Sequence, residues 1–454
     1  MSHIQAAGQW MPLTLPQLDF WEEFLFHPDE PVSTVAHCIV LKGTLDHAAM
    51  SAAISRTVAE AEVLWVRFRD GGKSDAPEQF CDPACRPPVE IFDFSNREDP
   101  MAEARRLMEA DVKAPLDLRV DRLSAQFLIR LSEDHHLWYI RAHHIIVDGF
   151  GLSLVEHRCA QLYRHFRDGE DAGPPFHSLA SFIAEEEAYR QSHRHAADRA
   201  FWQAYLEGAA DLPVIYKGDE SYGASTFEGV SDLDDTLPDQ LRQTAMELGI
   251  GWPDLLVLTA GLYFHETLPR QKTADGEVLT LWLPFMSRWG SVGAHMPGML
   301  VNILPFFVRL ERGETVSAYL KRSAAILRKQ RMHGRYRIEQ IATDREMPEG
   351  SRFYFSPLIN VLPFSAPAFP DLQVSRHILA NGPGEGYSLT FRGADDGSDL
   401  TLRLDADSAV LDGSEFERHK NALPHLLRLA LSPAGLAADA RALVSQVQAE
   451  FTGA

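Results

Sequence analysis

Cysteine is scarce in this sequence: its 454 residues include only four, at positions 38, 81, 85 and 159. Their spacing shows no disulfide framework, so we expect reduced thiols in a cytoplasmic protein. Cys81 and Cys85 lack a second pair of ligands, so we expect no metal site there. The N-terminus also lacks a positively charged segment followed by an apolar one, which argues against secretion.

Long apolar runs and an excess of positive charge are also missing. No apolar run approaches the roughly 18 residues of a membrane-spanning helix, so we expect no membrane span. The chain has 43 Lys and Arg against 64 Asp and Glu, a net charge of −21, and therefore no dominant basic surface for nucleic acid. The composition is typical of a globular protein, because 45% of the residues are hydrophobic and 24% are charged.

The length suits two domains of about 200 residues each. Strand and helix patterns occur in both halves, and the acidic segment 169–175, which contains Gly and Pro, has the composition of a linker. We therefore predict one domain over 1–175 and a second over 176–454. A long charged helix over 181–205 is expected to open the second domain.

One stretch, residues 137–151, combines a strand, two histidines and the start of a helix. Alternating bulky residues predict a strand that runs into His143 and His144, and glycines at 149 and 151 then break it. Apolar residues at 152, 155, 159, 162 and 166 predict the buried stripe of the following helix. Reactive groups are common where a strand gives way to a loop. In contrast, we expect His135 and His136, in the preceding hairpin turn, to face solvent.

Three interpretations of the paired histidines are open at this point. A zinc site is disfavoured because adjacent strand residues point to opposite faces, and no HExxH motif or further ligand pair follows. A structural interpretation makes one histidine a hydrogen-bonded group and the other a packing residue. The third is acyl transfer, with one imidazole accepting a proton from an attacking amine or hydroxyl. Asp148 would then turn inward and hold the loop, and the absence of a GxSxG motif argues against a serine acyl-enzyme.

The run HHIIVDG at 143–149 resembles the HHxxxDG signature of the condensation domains of nonribosomal peptide synthetases. The wider superfamily, which includes chloramphenicol acetyltransferase, shares the shorter HxxxDG pattern. Further motifs follow in the family's order across roughly residues 12–430: Gln17 with Trp21, Arg288, the Asn-x-Leu-Pro run at Asn302, and Ser356 with Asn360. In the second motif, Ala61 and Trp65 replace the usual His and Arg, and these departures resemble siderophore-type members.

The resemblance implies an α/β fold of two chloramphenicol-acetyltransferase-like sandwich lobes, arranged as a V with a central tunnel. It implies that His144 acts on the nucleophile as a base or hydrogen-bond partner, with His143 as its structural neighbour. Asp148 would pair with Arg288 and tie the loop to the other lobe, and Gly149 would let a pantetheine arm approach closely. The implied tunnel residues are Trp21, Asn302, Ser356 and Asn360.

The implied reaction transfers an acyl or peptidyl group from the phosphopantetheine thioester of a carrier protein to an amine or hydroxyl acceptor. The product would be an amide or ester in nonribosomal peptide, hybrid polyketide or siderophore biosynthesis, with no permanently bound cofactor or metal. We expect a free-standing monomer, since no carrier or adenylation segment is recognisable. A basic helix predicted over 316–337 offers Arg322, Arg328 and Lys329 as candidates for carrier docking.

Two alternatives stay open within the superfamily. A coenzyme-A-dependent acyltransferase would use the same histidine with a free thioester, and loading assays would separate it from a carrier-dependent enzyme. An epimerisation-type relative would move a proton on a carrier-bound aminoacyl group, but the run at Asn302 resembles the condensation form. A cyclising relative is excluded because it would have aspartates in place of the two histidines.

Overall fold

The computed structural model describes residues 10–71, 76–207, 211–219, 226–233, 235–274, 276–382 and 386–451. The strands are β1 Met11–Pro12, β2 Thr34–Lys42, β3 Val66–Arg69, β4 Glu78–Cys81, β5 Val89–Asp93, β6 Ser124–Arg130, β7 His135–His143, β8 Val214–Tyr216, β9 Thr226–Asp232, β10 Gln271–Thr273, β11 Gly276–Phe285, β12 Asn302–Val308, β13 Ser351–Phe353, β14 Leu358–Pro363, β15 Gln373–Asn381, β16 Tyr387–Gly393 and β17 Thr401–Asp407.

The helices are α1 Leu15–Phe26, α2 His47–Glu60, α3 Pro100–Val112, α4 Gly149–Asp168, α5 Leu179–Arg190, α6 His193–Leu206, α7 Leu237–Leu248, α8 Trp252–Thr267, α9 Val316–Met332, α10 Ile338–Asp344, α11 Gly413–Ala430, α12 Pro433–Ala437 and α13 Ala440–Phe451. Short 3-10 helices lie at Glu62–Trp65, Pro83–Cys85 and Val292–His295.

The chain divides into two compact units, and each is assembled from several segments. The first unit consists of Met1–Ser192, Arg288–Val301 and Ala366–Pro383. The second consists of His193–Ser287, Asn302–Ser365 and Gly384–Ala454. The sequence prediction placed a single boundary at residue 175. In the structure the second unit begins at His193, and the chain passes back into the first unit at two later segments.

A five-stranded sheet in the order β15-β2-β7-β6-β5 forms the centre of the first unit. Its middle strand, β7, pairs antiparallel with both β2 and β6. Successive residues of a strand point to opposite faces, so Trp138 and Ile140 pack with apolar residues of α2 and α4, whereas Leu137 and Tyr139 pack with α3. The sheet is thus covered on both faces along β7, and the last residue of this strand, His143, is buried.

The second unit contains a sheet in the order β10-β11-β14-β16-β17-β9, with β12 also paired to β11. Its middle strand β14 is parallel to β11 and to β16. Residues 255–265 of α8 are all buried, and α7, α9, α11 and α13 contact this helix. A helix that is apolar on all sides forms the core of its unit, and α8 has that position here.

Two local predictions from the sequence were wrong. His136 does not face solvent, because it belongs to β7 and its exposed fraction is 0%. The long helix predicted over 181–205 is two helices, α5 and α6, separated at Gln191 and Ser192. The backbone N–H and the hydroxyl of Ser192 both donate to the carbonyl of Tyr189, which closes a turn in place of a continuous helix.

Within the described residues, no single helix is long and apolar enough to cross a membrane. Helices α7 and α8 reach that length and composition only as a pair, with a bend of 98° between them.

Candidate functional site

The HHIIVDG segment connects β7 to α4 in the first unit, and buried apolar residues anchor it. Ile145, Ile146 and Val147 are each at most 1% exposed and belong to the core between the sheet and α4. Backbone hydrogen bonds fix both ends of the loop: the N–H of His144 donates to the carbonyl of Ser33 at 2.6 Å, and that of Asp148 donates to Gly298 at 3.1 Å. The loop therefore has a defined shape before any substrate binds.

Asp148 is the N-cap of α4, and its carboxylate is fully engaged. Oδ1 accepts a hydrogen bond from the N–H of Gly151 at 2.8 Å, in the usual manner of a helix N-cap. Oδ2 accepts from the N–H groups of Leu300 and Val301, each at 2.9 Å. Nη2 of Arg288 donates to both carboxylate oxygens at 2.8 Å. Asp148 thus holds the start of α4 to the 288–301 segment.

Arg288 is buried as well, and it contacts several groups besides Asp148. Its Nη1 donates to the carbonyls of Gly293 and Met296 at 2.6 and 2.9 Å, and Nη2 donates to Gly298 at 3.0 Å. Burial alone would raise the pKa of Asp148, but the charge of Arg288 and the backbone N–H groups outweigh this and lower the pKa. Asp148 is therefore ionised at neutral pH, and it is a poor proton acceptor because its pKa is lowered and both of its oxygens already accept hydrogen bonds. Both residues lie in the first unit, so this pair does not join the two units.

His143 is a neutral structural residue. Its backbone N–H donates to Leu123, and its Nδ1 accepts a hydrogen bond from the N–H of Ile145 at 3.1 Å. An acceptor Nδ1 carries no proton, so the ring proton of the neutral form lies on Nε2. Burial, together with the charges of His144 and Arg141, lowers the pKa of His143 to about 3. This ring supports the turn and remains neutral at physiological pH.

His144 is only partly buried, and its ring lies in a different environment. Nδ1 is buried and makes no well-formed hydrogen bond within the described structure, which leaves Nε2 as the nitrogen that can meet a reactant. Burial lowers the pKa of His144, while the charge of Asp148 and the backbone of His144 and Val147 act in the opposite direction. The imidazole is therefore neutral at pH 7 and can accept a proton or a hydrogen bond.

Phe20 and Gly382 contact His144, and both were missed as site residues. The rings of Phe20 and His144 are stacked, with centroids 5.2 Å apart and planes inclined by 18°. A Cβ added to Gly382 would lie 2.7 Å from Cδ2 of His144. Phe20 lies in α1, and Gly382 directly follows β15. No local pattern shows that either residue meets a histidine so far away along the chain.

The two glycines near Asp148 differ in the space around them. A Cβ on Gly149, the first residue of α4, would meet no atom within 4 Å. A Cβ on Gly151 would lie 2.6 Å from Cγ2 of Val147 and 3.0 Å from the backbone N of Gly298. Gly151 is thus required by packing, whereas a Cβ on Gly149 would lie in open space.

Two of the predicted tunnel residues, Trp21 and Asn302, make contacts inside the protein. Trp21 is 4% exposed and packs against Phe24 and Phe68. The amide nitrogen of Asn302 donates to the carbonyls of Gly334 and Tyr336, and its oxygen accepts from the N–H of Ile338. Their tunnel role stays a prediction, and the contacts present here are structural.

Ser356 and Asn360 lie on and beside β14 in the second unit. Oγ of Ser356 accepts a hydrogen bond from the N–H of Tyr387 at 2.9 Å. Asn360 is partly buried and lies beside Thr390 of β16, on the face opposite the buried Ile359. Both polar side chains are partly buried, and a role in binding substrate stays a prediction for both.

The predicted docking residues lie on α9, but they are not equivalent. Nε and Nη2 of Arg322 each donate to a carboxylate oxygen of Glu314 at 2.8 Å, so this charge is already paired. Arg328 and Lys329 are exposed. Nζ of Lys329 lies 5.5 Å from the ring centre of Phe201. Within the described residues, no group of three or more His, Cys, Asp or Glu side chains is arranged to hold a metal ion.

Comparison with known proteins agrees with the motifs. Residues 8–451 match the family profile described as the condensation domain. An isonitrile lipopeptide synthase of Streptomyces coeruleorubidus is 32% identical over 93% of this chain, and enterobactin synthase component F of Escherichia coli (strain K12) is 30% identical over 95%. The chain spans only 28% and 33% of the lengths of these two relatives.

A solved structure matches along nearly the whole chain. The crystal structure of VibH, a nonribosomal peptide synthetase condensation enzyme, is 35% identical with a TM-score of 0.85, and the match covers 94% of this chain and 100% of VibH. The mixed α/β fold and the acyltransferase class predicted from the sequence are confirmed by these matches. So is the predicted family, and the chain belongs to the condensation domains of nonribosomal peptide synthetases.

Proposed function

We propose that this condensation domain transfers an acyl or peptidyl group from a carrier-protein phosphopantetheine thioester to an amine or hydroxyl acceptor, with His144 as the catalytic imidazole. The observation that carries the proposal is the state of His144. Its ring is neutral, Nδ1 is buried, and a fixed loop presents Nε2. A neutral imidazole in a fixed position meets the requirement for general-base or hydrogen-bond catalysis.

The chemical step is a direct acyl transfer. The acceptor nitrogen or oxygen attacks the thioester carbon and gives a tetrahedral intermediate, from which the C–S bond breaks. The acceptor's proton passes to Nε2 of His144 and then to the departing sulfur, so the products are an amide or ester and a free thiol. A thioester is already activated, so alignment of donor and acceptor supplies most of what the reaction needs. Asp148 takes no proton in this scheme and keeps the loop in place.

The donor is expected to arrive on a partner, because condensation domains work with carrier-protein domains. The phosphopantetheine arm would bring the thioester to the His144 loop, and the open space at Gly149 supports a close approach there. We propose no permanently bound cofactor. Relatives described as enterobactin and vanchrobactin synthetases favour siderophore biosynthesis over the other secondary-metabolite pathways.

We also propose a cytoplasmic monomer. All four cysteines are free and buried, and burial raises the pKa of Cys38 and Cys81 to about 12. Inert, reduced thiols fit a reducing compartment. Light scattering of the purified chain tests the oligomeric state.

The test is a condensation assay followed by mass spectrometry, with acyl groups loaded on carrier proteins and a panel of amines and alcohols as acceptors. His144→Ala should lower kcat by about 10²-fold or more while the circular dichroism spectrum is unchanged. The matched control is His157→Ala, since His157 is exposed on α4 and should be dispensable.

Near-native turnover of His144→Ala would overturn the proposed role. Equal kcat/KM with the same acyl group on coenzyme A would favour the coenzyme-A-dependent alternative. Exchange of the α-proton of a loaded aminoacyl group in D2O, without any acceptor, would favour the epimerisation-type alternative.

A further inference from the structure

We propose that Phe20 and Gly382 are positioning residues that fix the imidazole of His144 in its reactive orientation. The inference rests on the proposed function of His144 and extends it to two residues that lie far from it in sequence. Three observations carry it: the lack of a well-formed hydrogen bond at Nδ1 in the described structure, the stacked ring of Phe20, and the contact of Gly382 with the ring edge.

A catalytic histidine is usually oriented by the hydrogen bond that its second ring nitrogen makes. In the described structure no side chain makes a well-formed hydrogen bond to Nδ1 of His144, and the nearby backbone of His144 and Val147 acts on the ring mainly through its dipoles. Asp148, the nearest carboxylate along the chain, is fully engaged with Arg288 and backbone N–H groups. Packing against the ring is therefore needed to fix the direction of Nε2, beside the weak hold of the nearby backbone.

Phe20 provides the packing on one face of the ring. The two planes are inclined by only 18°, with centroids 5.2 Å apart, which is an offset-stacked geometry favourable for aromatic rings. Helix α1 holds Phe20 firmly, because Gln17 pairs with Gln79 through side-chain hydrogen bonds of 2.9 and 2.7 Å. Pro16 and Trp21 are buried on the same helix. Phe20 is thus a partly buried ring on a helix that these contacts anchor.

Gly382 closes the edge of the ring. A Cβ at this position would lie 2.7 Å from Cδ2 and 3.6 Å from Nε2 of His144, so the backbone itself contacts the imidazole. The residue follows β15, and its N–H donates to the carbonyl of Thr34 at 2.9 Å. Its φ of +80° lies in the left-handed region that favours glycine. Both the contact and the backbone conformation therefore require the absence of a side chain.

One short segment of backbone connects these parts. The carbonyl of Ser33 accepts the N–H of His144, and the carbonyl of the next residue, Thr34, accepts the N–H of Gly382. The hydroxyl of Ser33 donates to Glu23, one helical turn after Phe20 on α1. Ser33 and Thr34 therefore connect the helix of Phe20, the backbone of His144 and the backbone of Gly382. A displacement of one of these three residues changes its distance to the other two.

The first experiment removes the stacked face. Phe20→Leu should lower kcat about 10- to 100-fold with little change in KM for the donor, because a misdirected imidazole still leaves the binding surface intact. Phe20→Tyr retains the aromatic face and should restore most of kcat. The control is Phe24→Leu, one turn further along α1, which removes a buried ring that packs at a tilt against Trp21. Phe24→Leu should lower the melting temperature but leave kcat near the native value.

A second measurement does not depend on turnover. The Cε1–H signal of His144, assigned by its absence in His144→Ala, is titrated by NMR. Loss of the Phe20 ring admits water, so Phe20→Leu should raise the pKa of His144 toward its ordinary value of about 6.5. The neighbouring groups Asp148 and His143 are unchanged in this comparison. Phe24→Leu should leave the titration midpoint where it is.

The same reasoning gives a test of Gly382. Gly382→Ala places a methyl group against Cδ2, so kcat should fall by more than tenfold. Gly169→Ala is the matched control, because Gly169 has a φ of +73° but open space around a Cβ. It reproduces the backbone strain without the contact and should keep kcat near the native value.

Each outcome separates this inference from the proposed function. If Phe20→Leu and Gly382→Ala change neither kcat nor the NMR midpoint, the positioning role is overturned even when His144 is essential. If His144→Ala retains turnover, the proposed function fails, while a raised midpoint in Phe20→Leu would still establish that Phe20 controls the ring.

Discussion

At the residue scale, the carboxylate of Asp148 accepts hydrogen bonds from Arg288 and from three backbone N–H groups while it is 3% exposed. A buried charge is stable only when its partners compensate for the lost hydration. All of these partners are donors, so they favour the ionised form. Asp148 therefore has a structural role in the signature, and the proposed mechanism assigns the proton transfer to His144.

The first prediction concerns this ion pair. Asp148→Ala or Arg288→Ala should each lower the free energy of unfolding by on the order of 3–5 kcal/mol, because each leaves a buried charge without its partner. The double variant should cost less than the sum of the two, since no stranded charge remains. Urea denaturation measures all three values. The lowered pKa of Asp148 means that this stability is fully present above the ordinary carboxyl pKa and is lost only as pH falls through the lower value.

A surface pair provides the comparison. Arg106 is exposed on α3 and contacts Glu103 at 2.8 Å, so Arg106→Ala should cost less than about 1 kcal/mol. A similarly small cost for Asp148→Ala would contradict the structural role.

The sequence predicted some of these residue roles and could not predict others. The inward turn of Asp148 followed from three apolar neighbours and a familiar motif, and its contact with Arg288 followed from the resemblance. The contacts of Phe20 and Gly382 with His144 depend on the packing of α1 and β15 around β2. A single sequence without that packing contains no signal for them.

At the scale of the element, the stripe on α4 illustrates what periodicity can predict. Leu152, Val155, Cys159 and Leu162 are all buried as predicted, but Phe166 is 44% exposed. A period of 3.6 residues gives the direction of a side chain. The period does not show how far along the helix the neighbouring elements extend to cover that side chain. The last turn of α4, which ends before Gly169, leaves Phe166 accessible.

The basic helix α9 is the element on which the second prediction depends. Arg322 is paired with Glu314, and Arg331 forms an ion pair with Asp254, so several of its charges are neutralised internally. Arg328 and Lys329 remain exposed. An acidic carrier protein would be attracted to them by charge, and such attraction weakens as salt screens it over about 8 Å at physiological ionic strength.

The double variant Arg328→Glu/Lys329→Glu should raise KM for the carrier-bound donor and reduce the dependence of KM on salt. Turnover of a small pantetheine thioester should be unaffected. Charge reversal of the exposed neighbours Arg105 and Arg106 on α3 is the matched control and should leave KM unchanged. Equal losses with the carrier-bound and the small donor would mean that α9 supports the fold and is not a docking site.

At the scale of the whole molecule, the α/β class and the two-part organisation could be predicted, but the composition of the units could not. Segments Arg288–Val301 and Ala366–Pro383 belong to the first unit, although the chain before and after them belongs to the second. β15 pairs with β2 across most of the sequence. Such pairings are specified by long-range packing, and a local pattern shows only that a strand exists.

Buried histidines spread through the molecule lead to the third prediction. His136 and His143 lie in the first unit and His419 in the second, and each is at most 8% exposed. Burial is the largest cause in each case and lowers the pKa of His136 and His419 to about 4 and that of His143 to about 3. Nearby positive groups, such as Arg130 for His136 and Arg418 for His419, add to the effect.

The sign of the pH dependence follows from these lowered pKa values. An unfolded chain binds a proton at each histidine near pH 6.5, whereas the folded chain does not until the pH is much lower. The contribution of these histidines to stability is therefore fully present above pH 6.5. It falls as the pH drops toward about 4, by about 1–2 kcal/mol per histidine at pH 5.

Urea denaturation at pH 7.5 and pH 5 should show this loss of free energy of unfolding. His136→Leu, which removes one titrating group, should reduce the difference between the two pH values, and His157→Ala on the exposed face of α4 should not. If the His136→Leu and native chains lose the same free energy between pH 7.5 and pH 5, burial of His136 is not a source of acid sensitivity.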